Sequence, residues 1–219
     1  MADVLISVEV VVLTLVQGVL HAVLVQRTEP PFDGVWALPS GAIDTSADAH
    51  TRDTALRLLR DQTQIAHAYV EQLATFSGPA RDPRGWSATV AYCALVPYAV
   101  VDPLAHVRVL PVAALPILPL DQGSIAKLAL ERVRSKSQYS SLPVHLCGPT
   151  FTLPQLQQVY EAVLGEAINK VSFRRKMDEL QLLEPVPGAM QSGGAHRPAQ
   201  LHRVRQPFQL QLALSARGL

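Results

Sequence analysis

Cysteine is nearly absent: the chain holds two in 219 residues, Cys93 and Cys147, with neither metal-ligand spacing nor the makings of a disulfide framework. Cys93 lies in the apolar run Ala-Tyr-Cys-Ala-Leu-Val and reads as a buried small hydrophobe rather than a nucleophile. Charge is also sparse, at 17% against 48% apolar residues, so a real core is available. The N-terminus lacks the basic region and small-residue cleavage site of a secretion signal. An unbroken membrane-length run is missing too. The stretch 4–25 is long enough to span a bilayer, but Glu9, Gln17-Gly18 and His21 interrupt it, and its valines favour two strands hinged at Gln17-Gly18. The expectation is a cytoplasmic protein without a membrane segment.

The length favours two small domains over one large one. Residues 1–120 hold seven Lys/Arg against eleven Asp/Glu, and residues 121–219 hold twelve against seven. A basic back half suits either a nucleic-acid partner or a plain solvated face. Pro111, Pro116 and Pro119 mark a linker, since proline breaks ladders and helices alike. The expected division is 1–115 for the first domain, 116–150 for a linker with a helix over 121–136, 151–206 for the second domain and 207–219 for a tail.

The front half is organised around residues 24–65. A hairpin of two apolar strands leads to the turn signals Pro30-Pro31 and Asp33-Gly34, then to Val35–Leu38 and the turn at Pro39-Ser40-Gly41. A helical pattern follows, with Ala55, Leu56 and Leu59 at one-turn spacing. The segment Gly34-Val-Trp-Ala-Leu-Pro-Ser-Gly41 followed by this helix resembles the Nudix family, whose hydrolases cleave nucleoside diphosphates linked to another group. The resemblance implies an α/β (α+β) domain, a mixed sheet with helices. The family's helix reads Arg-Glu-x-x-Glu-Glu and closes with a glycine. Here Arg57 matches the arginine, Leu58, Asp61 and Gln62 stand where glutamates belong, and Gln64 replaces the glycine. Ala49 takes the place of a further glutamate.

Carboxylates one helical turn apart share a face and can jointly hold a hard divalent cation, which neutralises a diphosphate and positions the attacking water. One aspartate beside a leucine and an amide makes a poor site of that kind. The reading is a Nudix fold that has lost catalysis and kept its pocket, with no catalytic residue, no metal ligand, no magnesium and no cofactor. The alternative is a hydrolase with an atypical metal site drawn from Asp44, Asp48, Asp53 or Asp61, residues that equally suit turns and a helix start.

Several residues are candidates for contact with a nucleotide effector. Arg27, at a strand end, either meets a phosphate or ribose or is a surface arginine. Trp36 either stacks on adenine or plugs the core, and Arg57 belongs to the motif. Further on, a strand over 69–76, a turn at 77–80 and a strand over 87–97 flank Arg81-Asp82-Pro83-Arg84-Gly85-Trp86. Arg81 and Arg84 offer forked donors, Trp86 an aromatic face, and Asp82 sits between them. The other reading is a loop pinned by an internal Arg–Asp pair. This segment is similar to those of Nudix proteins that handle ADP-ribose.

In the second domain, Thr152-Leu-Pro-Gln155 is a capping box, with Phe151 and Leu156 placed as a staple. Leu156, Val159, Tyr160 and Val163 form its buried stripe, and Gly165 stops the helix. A second helix follows over 171–182, with Phe173, Met177 and Leu180 inward. Lys170, Ser172, Arg174, Arg175 and Lys176 are its candidate DNA contacts, since two short helices with a tight turn suit a helix-turn-helix in the major groove. After a flexible stretch at 188–194, residues 197–205 read as a basic wing strand, with Arg197, His202 and Arg203 as further contacts. An ordinary helical hairpin with a solvated basic face would look the same.

The segments FTLPQLQQVYEAVLG, NKVSFRRKMDELQLL and HRPAQLHR, together with WALPSG and RDPRGW, resemble the NrtR type of Nudix-related bacterial repressor over most of residues 6–206. The resemblance implies a winged helix-turn-helix after the Nudix-like domain and an effector that is ADP-ribose or a related nucleotide. It also implies a homodimer on a palindromic double-stranded operator and control of NAD-linked metabolism. The chain departs from the type in having Ser40-Gly41 for Gly-Gly. It also has Val171 and Ser172 where a basic residue and Asn are usual, at positions that would face bases.

Overall fold

A computed structural model describes residues 4–101, 104–191, 198–208 and 212–214. The chain divides into two compact units, Met1–Val16 with Leu20–Arg132, and Gln17–Val19 with Val133–Leu219.

Strands β1 (Leu5–Val16) and β2 (Val19–Gln26) are joined at Gln17 (φ 50°) and Gly18 (φ 78°). Two consecutive positive φ values match the right-handed twist of a hairpin, and glycine adopts the second without strain. The sheet has the order β3 (Trp36–Ala37), β2, β1, β6 (Gly85–Leu95), β5 (Tyr69–Asp82), with β4 (Ser40–Ala42) on β1 and β7 (Val107–Pro111) on β2. β1 runs parallel to β6 and antiparallel to β4, so the sheet is mixed. Residues 8–14 of β1 are buried without a break. That is why the sequence there runs apolar to nearly membrane length: a central strand covered on both faces loses the usual alternation.

Helix α1 (Thr51–Thr63) packs Ala55, Leu58 and Leu59 on one face of the sheet, against Val8, Val10, Val12, Tyr92 and Ala94. It closes on Gln64, whose φ of 59° is left-handed and whose N–H donates to the Arg60 carbonyl. A residue with a side chain thus holds the conformation for which the motif reserves glycine.

Two expectations for the first unit fail. Residues 77–80 are not a turn: β5 runs through them to Asp82, and the chain reverses between Asp82 and Gly85. β5 is an edge strand, where a proline costs no ladder bond, and a register shift between Gly78 and Asp82 absorbs the irregularity. Nor do the prolines end the unit. Residues 116–132 belong to it, and the boundary falls inside helix α2 (Gln122–Ser137). Near the start of α2, Gln122 accepts the Leu38 backbone N–H at 2.8 Å.

The second unit holds β8 (Phe151–Thr152), α3 (Leu153–Leu164), α4 (Lys170–Leu180), β9 (Leu183–Gln191) and β10 (Ala199–Val204), with an antiparallel sheet ordered β8-β10-β9. The capping box forms as read: Gln155 N–H donates to Thr152 Oγ1 (3.3 Å) and Thr152 N–H to Gln155 Oε1 (2.8 Å). Leu156, Tyr160, Phe173, Met177, Leu180 and Leu182 make the core, and the Tyr160 and Phe173 rings meet edge to face at 5.3 Å. β9 passes Pro185 and Pro187 and runs on through Gly188 to Gln191, into the stretch 188–194 expected to be flexible. It too is an edge strand, and the Gln200 side-chain amide donates to the carbonyls of Val186 (2.8 Å) and Ala189 (3.0 Å) beside those prolines. In the tail, Ala213 is buried and pairs with Ser141 through two hydrogen bonds of 2.9 Å.

Among the described residues, no helix is long and apolar enough to cross a membrane.

Candidate functional site

The first unit carries a cleft of about 420 Å³ between the end of β2, strand β4 and helix α1, lined by Arg27, Glu29, Ser40, Arg57, Asp61, Gln62 and His106 among others. Its walls are built from the altered motif. Leu58, in a glutamate position, is buried in the core and lies so close to Gly41 that a Cβ there would come within 2.7 Å of its Cδ2. Gln62, in another glutamate position, clasps the backbone of Ser40. Its Oε1 accepts the Ser40 N–H at 3.1 Å and its Nε2 donates to the Ser40 carbonyl at 2.9 Å. An amide, with both donor and acceptor, closes that pair where an ionised carboxylate could not. Leu58 and Gln62 therefore hold the turn before the helix, and Asp61 is the carboxylate at these positions that lines the cleft.

Arg57 is likewise committed. Its guanidinium forks the Asp48 carboxylate, Nε to Oδ1 at 3.0 Å and Nη2 to Oδ2 at 2.7 Å, and donates to the Ala42 carbonyl at 3.0 Å. The Asp48 carboxyl is held well below the usual carboxylate range by the Arg57 hydrogen bonds, and Arg57 thereby ties the 42–48 loop to α1. Arg27 donates to two neutral acceptors, the carbonyls of Pro31 (3.0 Å) and Glu29 (3.5 Å). Its charge faces the cleft without a carboxylate clamp of that kind. His106, whose Nε2 lies 3.2 Å from the Gln62 carbonyl, carries no sequence signal: it reaches the cleft from a loop 44 residues beyond Gln62.

The other aspartates weighed as metal ligands are engaged locally. Asp44 accepts from Ser46, Asp53 accepts the His50 N–H at 2.9 Å, and exposed Asp61 pairs with Arg60 at 3.1 Å. Among the described residues, no group of three or more His, Cys, Asp or Glu is arranged to hold a metal ion.

The hairpin from β5 to β6 corrects the expectation for Arg81 and Asp82. The Arg81 side chain is 5% exposed, bridged to buried Glu9 and to Asp121 Oδ2 at 2.9 Å. It is an internal cation, not an open phosphate fork. Burial pushes the Glu9 carboxyl above its ordinary range, against the opposing pull of Arg81. Asp82 is buried too, forked by Arg84 at 3.0 and 2.8 Å with the Arg84 N–H at 2.9 Å. The internal Arg–Asp pin is thus what Asp82 and Arg84 form, and Trp86 stands exposed beside it. None of these residues lines the cleft with Arg27 and Arg57. Trp36 does not line it either; it is half-buried, with the Arg108 guanidinium 4.2 Å above its ring, an arrangement that favours the cation.

In the second unit, α4 exposes Lys170, Val171, Ser172, Arg174 and Arg175 and buries Phe173, Lys176, Met177 and Leu180. Lys176 is the correction here. It falls on the inward stripe, three residues after Phe173 and four before Leu180, and its ammonium donates to the Gln138 carbonyl. Burial lowers its pKa to about 8. It is a core residue, not a DNA contact. On the wing, Arg203 pairs with Glu184 at 2.7 Å, and His202 is half-buried with Nδ1 3.1 Å from the Gln200 carbonyl. Arg197 lies outside the described residues.

Residues 143–204 match the NrtR DNA-binding winged helix domain. The chain is 36% identical over 205 residues to the ADPR responsive transcriptional repressor NtrR of Acinetobacter baylyi, covering 91% of this chain and 81% of that protein. The structure is similar to that of Shewanella oneidensis NrtR complexed with a 27mer DNA, with a TM-score of 0.90 and 35% identity over 98% of this chain and 99% of that one. It is also similar to the NUDIX domain of Shewanella oneidensis NrtR complexed with ADP ribose, with a TM-score of 0.55 and 36% identity over 60% of this chain and 90% of that one.

Proposed function

The chain belongs to the NrtR family, a Nudix-like domain followed by a winged helix, and from that premise we propose that it is an ADP-ribose-responsive transcriptional repressor. ADP-ribose or a related nucleotide occupies the cleft of the first unit, α4 and the wing of the second hold a double-stranded operator, and two copies grip a palindrome. The repressor acts in the cytoplasm on genes of NAD-linked metabolism.

The observation that carries this reading is the use to which the catalytic helix is put. Leu58 packs on Gly41, Gln62 clasps Ser40 and Arg57 clasps Asp48, yet the cleft they frame stays open. A divalent cation does not fit these donors: Asp61 is the single carboxylate left at the motif positions, and although it lines the cleft it pairs with Arg60. The domain binds a nucleotide without hydrolysing it. Arg27 meets the diphosphate, since a guanidinium held by carbonyls keeps its full charge for an anion.

Calorimetric titration with ADP-ribose, run in buffer containing a chelator and repeated with magnesium, tests this. Wild type binds and returns the nucleotide intact. Arg27→Ala weakens binding about tenfold to a hundredfold, the range for losing a charge-assisted hydrogen bond, with operator affinity in the absence of nucleotide unchanged. Binding that required magnesium, or turnover at the rate of ordinary hydrolases, would reject the proposal.

A further inference from the structure

We propose that Val171 reads the 5-methyl group of a thymine in the operator, and so selects sequence at one position of each half-site; this rests on the DNA-binding reading above.

Helix α4 divides along its length by charge. Its first half exposes Lys170, Arg174 and Arg175, and its second half exposes Asp178 and Glu179. A polyanion attracts the first half and repels the second, so the turns that enter a groove are those around 170–175. Within them, Val171, Arg175 and Asp178 recur at four and three residues, on the side opposite the buried row of Phe173, Met177 and Leu180. Val171 therefore stands at the crest of the helix, 76% exposed, and is the one apolar side chain on the exposed face of α4.

The backbone amides of residues 171–173 at this end are already satisfied, that of Phe173 by the Asn169 carbonyl. Asn169 Oδ1 accepts the N–H groups of Val171 (2.9 Å) and Ser172 (3.1 Å), so side chains rather than amides face outward for reading. A β-branched residue gains nothing from helix propensity here and nothing from burial within the unit. Its two methyl groups suit one feature of a base edge in the major groove, the thymine methyl, which apolar side chains contact and which no other standard base carries. Neighbouring Ser172 can donate or accept, and Arg175 one turn on can reach a guanine edge or a phosphate.

The test uses the full chain and a duplex enriched by the wild type from a random-sequence library. Each thymine is replaced in turn by deoxyuridine, which deletes the methyl group alone. The expected result is about a fourfold loss of wild-type affinity at one symmetry-related pair of positions, the equivalent of exposing one methyl-sized group. Val171→Ser should abolish that sensitivity and Val171→Ile retain it, while binding to unrelated DNA stays the same in all three. Wild-type binding that is tight but indifferent to every uridine overturns the inference and leaves the DNA reading standing. So does a Val171→Ser variant that keeps the wild-type sensitivity. Failure to enrich any duplex overturns the DNA reading and this inference with it.

Discussion

Replacing Arg174 and Arg175 together by glutamate lowers operator affinity about a thousandfold. Both guanidiniums are exposed on the half of α4 that carries positive charge, and each good contact to a base edge is worth about 1–3 kcal/mol, with repulsion from the phosphates added by the reversal. The dependence of affinity on salt should also weaken, its log–log slope falling by about 0.9 for each phosphate contact removed. The fold should not suffer. Arg175 pairs with Glu179 at 3.8 Å with both side chains in solvent, and an exposed pair of that kind contributes little. Fluorescence anisotropy at several salt concentrations, beside a thermal melt, measures all three quantities. Unchanged operator affinity in the double variant would turn the winged helix into a protein-contact adaptor.

Arg81→Ala destabilises the first unit by about 3–5 kcal/mol, the cost of breaking a buried ion pair and leaving its partner uncompensated. The partners are Glu9, 2% exposed on the central strand, and Asp121, close enough to Glu9 to oppose its ionisation. Glu9 is already pushed above its ordinary range by burial, and loss of the cation pushes it further. A carboxyl whose folded pKa is raised binds more protons folded than unfolded, so stability is retained below the unfolded pKa and lost as pH rises through the folded one. The deficit should therefore be larger at pH 8 than at pH 5, by urea denaturation. If Arg81 instead served a ligand, the variant would unfold like the wild type at both pH values.

What could be read from the sequence was local. The Thr152/Gln155 capping box, the Gln17-Gly18 hairpin and the Phe173, Met177, Leu180 stripe each depend on residues within a few positions of one another, and each is present. Lys176 was readable too, since the helical period places it on the same stripe; its charge argued for the surface and the period prevailed. Edge strands were harder. The stretch 77–80 read as a turn and 188–194 as flexible, but β5 and β9 run into them at sheet margins, where a missing donor goes unnoticed. The pairing of Arg81 with Asp121 across 40 residues and with Glu9 across 72 leaves no trace in spacing. Neither does the reach of His106 to the cleft. The motif substitutions were visible as losses, whereas the clasp of Gln62 on Ser40 appears only once β4 and α1 are brought side by side.

A nucleotide shifts the repressor only if it binds the DNA-competent and DNA-incompetent states unequally. Operator affinity measured across a titration of ADP-ribose, with the nucleotide recovered and assayed for cleavage at the end, addresses that coupling and the proposed loss of catalysis in a single experiment. Affinity should change by about tenfold or more, within the usual range for linked sites, and the ADP-ribose should return uncleaved. Constant operator affinity up to saturating nucleotide, or recovery of AMP and ribose phosphate in its place, would contradict a cleft that senses without cutting.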